Sequence, residues 1–200
     1  MLNRAIILAR EGDGTLENQR FEGITLEGGD FSHLELSYVQ LSRCRFVDCN
    51  FSDALLYEVR MDRCDFANCR FSGAYFKKCS IDGCRGDGAI FTGARLRDSR
   101  FTNCSLRYAN LAGTNWEDCG LQDCVLREVF WSEAKIRKLE LAGCDLRGAE
   151  FFRTPLKGVD LSGCEIEGMA VSEGCAELRG AKIGVAQAAY IAAMVGVELV

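Results

Sequence analysis

A chain of 200 residues with one proline and one histidine has little room for several kinds of function. The lone Pro155 argues against proline-rich linkers, so the chain reads as one unit rather than a string of modules. The lone His33 leaves acid–base chemistry without its commonest catalyst, and no second group stands at motif spacing to orient or use it. Ser32, Ser52, Ser72 and Ser132 have no base nearby in sequence. No glycine-rich phosphate loop lies between a strand and a helix. The string Arg85-Gly86-Asp87 reads as a local irregularity in a pattern described below. No apolar stretch reaches the roughly 20 residues of a membrane span. Met1 to Asp13 lacks a basic segment followed by a cleavage site. The expectation is a cytoplasmic protein that neither enters a membrane nor catalyses a reaction, because catalysis needs groups converging in a concavity.

Cysteine, by contrast, is abundant, with twelve residues. No CxxC pair or Cys/His knot is present, so the spacing does not spell a zinc site, and neither a metal nor another cofactor is expected. The order among them is different. Cys44, Cys64, Cys84, Cys104, Cys124, Cys144 and Cys164 stand 20 residues apart. Phe31, Phe51, Phe71, Phe91, Leu111, Trp131 and Phe151 form a second ladder at the same spacing. Identical side chains at a fixed period mark a solenoid that stacks like on like. The period divides into fives. From Leu16, every fifth residue is large and apolar (Phe21, Leu26, Phe31, Leu36 and onward to Val171), with Gly86 the one gap. A small or slim residue sits two places before each, as at Cys49, Ala54 and Val59, and only Cys175 among the cysteines falls outside this phase. Two residues in five therefore face inward, a pattern neither helical nor simply alternating. Stacked thiols point the same way and cannot surround a metal, so the cysteines read as small buried hydrophobes. Cys175 is the one candidate for reactivity.

Segments such as Cys49-Asn50-Phe51-Ser52-Asp53, Ala109-Asn110-Leu111-Ala112-Gly113 and Cys144-Asp145-Leu146-Arg147-Gly148 resemble the small-polar-Leu/Phe-x-x consensus of the pentapeptide-repeat family. The resemblance runs from Leu16 to about Val171. It implies an all-β solenoid, a right-handed quadrilateral β-helix of about eight 20-residue turns, with one five on each of four faces. At about 4.8 Å per turn the rod is roughly 38 Å long. Glycines such as Gly73, Gly93, Gly113, Gly143, Gly148 and Gly163 read as corner residues, where positive φ costs glycine least. The expected organisation is an N-terminal cap over residues 1–13, the β-helix over 14–183, and a C-terminal helix and tail over 184–200.

Function must then lie on the outer surface. The face centred on the Leu16 column sums to +2, that of Phe21 to −1, and those of Leu26 and Phe31 to −3 each. The two acidic faces carry Asp30, Asp48, Asp53, Asp65, Asp87, Glu128, Glu133, Asp145, Glu150 and Glu165 as candidate partner-binding residues. A second candidate is the outward cluster Tyr38, Leu55, Tyr57 and Tyr75 on the basic face, beside Lys77 and Arg95. Some pentapeptide-repeat proteins bind DNA gyrase and topoisomerase IV and protect them from quinolones, with DNA mimicry the proposed mechanism. The resemblance therefore implies a protein partner, a bacterial type II topoisomerase, and no direct binding of nucleic acid. A 38 Å length of duplex would carry roughly 22 charges, against −5 here, so mimicry must be local or depend on shape. The plasmid-borne quinolone-resistance members carry loop insertions that break the repeat, and this sequence has none. The alternative is a scaffold for an unrelated protein, bound through the tyrosine cluster.

After Val171 the phase breaks into two shifted fives, Ala176-Glu177-Leu178 and Ala181-Lys182-Ile183. The alanine-rich run from Val185 to Val195, stopped by Gly196, predicts a helix. It is apolar on all sides apart from Gln187, so one side is expected to plug the end of the rod. The other is expected to pair with a second copy, through Val185, Ala189, Tyr190, Ile191, Met194 and Val195. The tail resembles that by which gyrase-protecting members dimerise. The alternative is a helix folded flat over the outward Phe130 and Phe152, which would leave a monomer.

Overall fold

The computed structural model describes residues 2–197; Met1 of the expected cap and residues 198–200 of the expected tail lie outside the described residues. The chain winds as a parallel β-solenoid. Strands on the first face (the Leu16 column) run Thr15–Glu17, Glu35–Ser37, Leu55–Tyr57, Tyr75–Lys77 and Arg95–Arg97, each paired in parallel with the next. The second face (the Phe21 column) repeats this with Arg20–Glu22, Gln40–Ser42, Arg60–Asp62, Ser80–Asp82 and Arg100–Thr102. Two longer strands, Asn115–Gln122 and Lys135–Ala142, run around the corner between these faces. Register between paired strands is 20 residues, as in Leu16↔Leu36 and Trp116↔Ile136. The third and fourth faces (the Leu26 and Phe31 columns) are held mostly by single bridges, such as Asn50↔Arg70 and Asp145↔Glu165. There the fives close with tight turns, as in Cys69 N–H to Phe66 O at 3.1 Å and Ala74 N–H to Phe71 O at 3.1 Å.

The ladder of paired strands spans about six turns rather than the eight expected. It stops where Pro155 enters. The residues at its place in preceding turns, Asn115 and Lys135, donate to Ala94 O at 2.9 Å and Thr114 O at 2.8 Å. Proline has no N–H to give. Beyond that point bridges carry the winding, and a two-residue slip follows: Asp160 bridges Lys182, a spacing of 22. Gly174 and Cys175, both at positive φ, lie in the loop that absorbs the slip.

The core is the repeat made physical. Phe31, Phe51, Phe71 and Phe91 stack at ring-centroid distances of 4.2, 4.7 and 4.9 Å, and Trp131 stacks on Phe151 at 5.4 Å. The seven-membered cysteine ladder is wholly buried, and all twelve cysteines are free thiols. Burial pushes the Cys79 thiol up to about 12 and raises that of Cys119. The gap at Gly86 is filled from neighbouring turns. A Cβ there would lie 2.2 Å from Phe66 Cε2 and 2.8 Å from Leu106 Cδ2, so Phe66 and Leu106 occupy the missing volume.

Corners bear out the glycine reading at Gly73, Gly93, Gly113, Gly143 and Gly148, where φ is 62–70°, but they are not confined to glycine. Many adopt φ between 49° and 61° with side chains as large as Arg63, Lys78 and Lys138, while Gly163 does not adopt positive φ at all. Aspartate and asparagine are frequent there (Asn18, Asp48, Asp53, Asn68, Asp98), consistent with their tolerance of this region. A single left-handed residue costs about 1–2 kcal/mol. Each corner follows a five that is bonded to its neighbours, as in Phe51 N–H to Arg70 O at 2.6 Å and Asp53 N–H to Ser72 O at 2.9 Å. Inter-turn bonding thus offsets the local strain.

Both ends are covered. Helix α1 (Leu2–Glu11) buries Leu2, Ile6 and Ala9 on one face over the first turn, and Arg10 pairs with Asp30 at 2.7 Å. Helix α2 (Val185–Met194) lies across the last turn. Gln187 Nε2 donates to Leu161 O at 2.8 Å and Cys164 O at 2.7 Å, and the Tyr190 hydroxyl donates to Met169 O at 3.2 Å. Those carbonyls would otherwise be an open end. No helix among the described residues is long and apolar enough to cross a membrane.

Candidate interaction surface

The ten candidate carboxylates fall into two groups that formal charge does not distinguish. Four are partnered by a cation, in most cases one turn away, and a fifth, Asp53, stands beside the His33 imidazole. Asp30 pairs with Arg10 at 2.7 Å, Asp65 with Arg85 at 2.6 Å, and Glu133 with Arg153 at 2.7 Å. Asp145 takes Arg127 at 2.5 Å and Arg147 at 2.8 Å, and Asp53 faces His33 at 4.0 Å. Hydrogen bonds from Arg147, then from Arg127, hold the Asp145 carboxyl well below the usual range against the opposing effect of burial. Burial, the largest single influence, pushes Asp65 up, but the Arg85 hydrogen bond, the Ala67 amide and the charges of Arg85 and Arg45 together outweigh it, and the net shift is downward. The four acids paired with arginine are already neutralised and offer a partner little field.

Asp48, Asp87, Glu128, Glu150 and Glu165 make no ion pair among the described residues. Asp87 is engaged by Ser105 Oγ at 2.5 Å and the Arg107 amide at 3.0 Å. Of the ten candidates, Glu128, Glu150 and Glu165 are the unpaired carboxylates of the C-terminal half. Phe130 bridges directly to Glu150 on the next turn and is 45% exposed; Phe152 is 38% exposed and Tyr108 is also exposed. The available acidic surface is thus narrower than two whole faces and is interleaved with aromatic rings. Formal charge summed by face does not by itself reveal this pairing. The signal was present, since acid and base stand 20 residues apart at Asp65/Arg85, Glu58/Lys78, Glu133/Arg153 and Asp118/Lys138.

Leu55, Tyr57 and Tyr75 lie on adjacent strands of the first face, with Tyr38 at the neighbouring corner. Tyr38 meets Tyr57 edge-on with centroids 5.4 Å apart. Lys77 and Lys78 lie 5.4 and 5.6 Å from the Tyr57 ring centroid, and Arg95 lies 5.1 Å from that of Tyr75. These are cation–π distances. Tyr38 and Leu55 are exposed, and Tyr57 and Tyr75 half-buried.

The six residues expected on a dimer helix are split by the end of the rod. Tyr190 and Ile191 pack on the core and Met194 is half-buried, so they serve the cap. Val185, which is 94% exposed, Ala189 and Val195 point away. The helix does not cover Phe130 or Phe152, which removes the alternative of a helix folded flat over them. Cys175 is half-buried, its sulfur 3.9 Å from Met194 O.

A closed parallel solenoid filled by stacked side chains, with its distinguishing chemistry on the outer faces, defines a class of repeat protein. Family models agree. "Pentapeptide repeat region" matches residues 56–131, and "Pentapeptide repeats (8 copies)" matches 35–73, 117–152 and 132–168. The chain belongs to the pentapeptide-repeat family. No curated protein matches its sequence. Among solved structures it is similar to QnrB1, described as a plasmid-mediated fluoroquinolone resistance protein. One trypsin-treated single-substitution variant of QnrB1 aligns at 26% identity with a TM-score of 0.54, covering 93% of this chain and 97% of that one. A second such variant, also trypsin-treated, aligns at 25% identity and 0.54, covering 93% and 98%.

Proposed function

We propose that this chain is a non-catalytic interaction protein that binds a bacterial type II topoisomerase, DNA gyrase or topoisomerase IV, and modulates its response to quinolone-type poisons. The observation that carries the reading is the similarity to QnrB1 along 93% of the chain at 26% identity. The surface supports a local form of DNA mimicry. Glu128, Glu150 and Glu165 present unpaired carboxylates on the C-terminal half of the acidic faces, and Phe130 and Phe152 add apolar contact. Exposed aromatics at the centre of a patch are the usual anchors of protein interfaces. The protein works as a homodimer in this reading, joined through the Val185 and Ala189 side of α2, in the cytoplasm where the enzyme resides.

The test is a gyrase supercoiling assay with and without a fluoroquinolone, titrating the protein. Rescue from the drug, or inhibition at higher dose, supports the reading; no effect at micromolar concentration removes it. A second reading rests on the tyrosine cluster: a scaffold whose partner docks on Tyr38, Tyr57 and Tyr75 with their flanking cations. Retention of a pulled-down partner by a Tyr57→Ala/Tyr75→Ala variant would count against it.

A further inference from the structure

Through the first six turns the corner amides of the strand faces bond the turn above. Asp98 N–H reaches Glu117 O at 3.0 Å, Asn103 N–H reaches Gln122 O at 2.9 Å, and Asp123 N–H reaches Ala142 O at 2.8 Å. At the next step this stops. The repeat directs the amides of Ile136, Lys138, Leu141 and Gly143 toward the carbonyls of Pro155, Lys157, Asp160 and Ser162, yet none has a backbone acceptor among the described residues. In return, Pro155 cannot donate and the Asp160 amide does not reach Leu139 O. The same two turns stay joined on the other faces, by Leu146 N–H to Glu165 O at 2.7 Å and Phe151 N–H to Ala170 O at 2.8 Å. The rod is therefore open along one side only.

A cavity of about 630 Å³ occupies the opening. Ile136, Leu139, Leu141 and Val159 form its apolar lining, Lys157 stands on the first-face rim, and Glu140 on the second. Neither Lys157 nor Glu140 has an ion-pair partner among the described residues. Lys138, also on the rim, is held by Asp118 at 2.6 Å. The gap narrows at the next corner, where a Cβ built on Gly163 would lie 3.9 Å from Gly143 N. Lys135–Ala142 pairs with Asn115–Gln122 on one side and has no strand on the other.

We propose that this cleft binds a short extended peptide segment of a partner protein by strand addition. An unpaired edge strand is a template for another chain. The chemistry selects a peptide over an ion or an apolar molecule, because the lips present free donors (the Ile136 and Lys138 amides) and a free acceptor (Leu139 O) in alternation. An anion would satisfy only the donors, and a hydrocarbon neither. A parallel segment, following the direction of every other pairing in the rod, places an acidic side chain toward Lys157. About three residues later it places a basic one toward Glu140.

The probes are acetyl-Thr-Glu-Val-Ser-Lys-Val-amide and its charge-swapped counterpart, in which Glu and Lys are exchanged. Amide exchange is followed by NMR on the whole protein. In the free protein, Lys138 and Gly143 should exchange at least about tenfold faster than the bonded corner amides of Asp98, Asn103 and Asp123. The first peptide should slow them, and the charge-swapped one should bind at least about fivefold more weakly. Lys157→Glu should reverse that preference. Pro155→Val restores an amide, closes the ladder and should abolish binding. Equal protection of Lys138 and Asp123 in the free protein overturns the proposal, as does indifference to charge order. Because Lys157→Glu changes only an exposed rim side chain, the test stands even if Pro155→Val folds poorly. None of these outcomes depends on whether gyrase is a partner.

Discussion

Glu177 is a carboxylate with 4% of its surface exposed, in the turn where the register slips by two residues. It accepts hydrogen bonds from Ser172 Oγ at 2.5 Å, the Arg153 amide at 2.8 Å and the Ser172 amide at 3.2 Å. In preceding turns the amide at the Arg153 position bonds a carbonyl, as Glu133 does to Phe152 O at 2.8 Å. The slip removes that carbonyl and the side chain replaces it. Glu177→Ala would leave two backbone donors without a partner, at about 1–3 kcal/mol each, or about 3 kcal/mol together. For a chain of this size that is a drop in Tm of about 6–12 °C. Glu177→Gln retains one acceptor and should lose about half as much. Burial pushes the Glu177 carboxyl up, but the hydrogen bonds from Ser172 and the two amides outweigh it, so the folded value lies below the ordinary 4.5. A depressed folded pKa gives stabilisation that is complete above the unfolded value and lost as pH falls through the folded one. Thermal melts by circular dichroism at pH 7 and across pH 5 to 2, with amide exchange at Arg153 and Ser172, measure both effects. A Glu177→Ala Tm within about 1 °C of the parent, with unchanged exchange at those amides, would refute the reasoning.

Three other outcomes follow from the core and the outer faces. Gly86→Leu should destabilise by more than about 1–3 kcal/mol, because Phe66 and Leu106 already fill the space; a neutral melt would mean that they relax out of it. Trp131→Phe should be neutral or stabilising by up to about 1 kcal/mol, since the Trp131 Nε1–H is buried without an acceptor among the described residues. Trp116→Phe should instead cost about 1 kcal/mol, because Trp116 Nε1 donates to Thr114 Oγ1 at 2.8 Å; equal melts for the two variants would contradict the distinction. Val185→Lys with Ala189→Glu should convert a dimer to a monomer in multi-angle light scattering, and an unchanged mass would exclude that surface as the contact.

The winding, the interior columns and the end-capping helix were legible because packing repeats them. A stacked core must place a ring over Phe51 at Phe71 and a thiol over Cys64 at Cys84, so periodicity alone reveals them. Surface charge was legible only as a sum. Its cancellation depends on neighbours 20 residues apart, such as Asp65 with Arg85, which become adjacent once the turn length is imposed. Pro155 was read as a lack of linkers, while its consequence lay in which way its column donates. In the sequence Glu177 is only a member of a shifted five, because the displaced register that buries it cannot be seen until the last turn is built. Glycine marks only some of the corners, because hydrogen bonding between turns holds even Lys78 and Lys138 at positive φ.

The central claim is that the unpaired carboxylates of the acidic faces engage a type II topoisomerase where DNA would lie. The direct measurement is binding of gyrase to the immobilised protein, with duplex DNA as competitor, for the parent and for Glu128→Lys/Glu150→Lys/Glu165→Lys. The account predicts saturable binding that DNA displaces, weakened at least about tenfold in the triple variant while its Tm stays close to that of the parent. Binding that survives both the competitor and the charge reversals would contradict it.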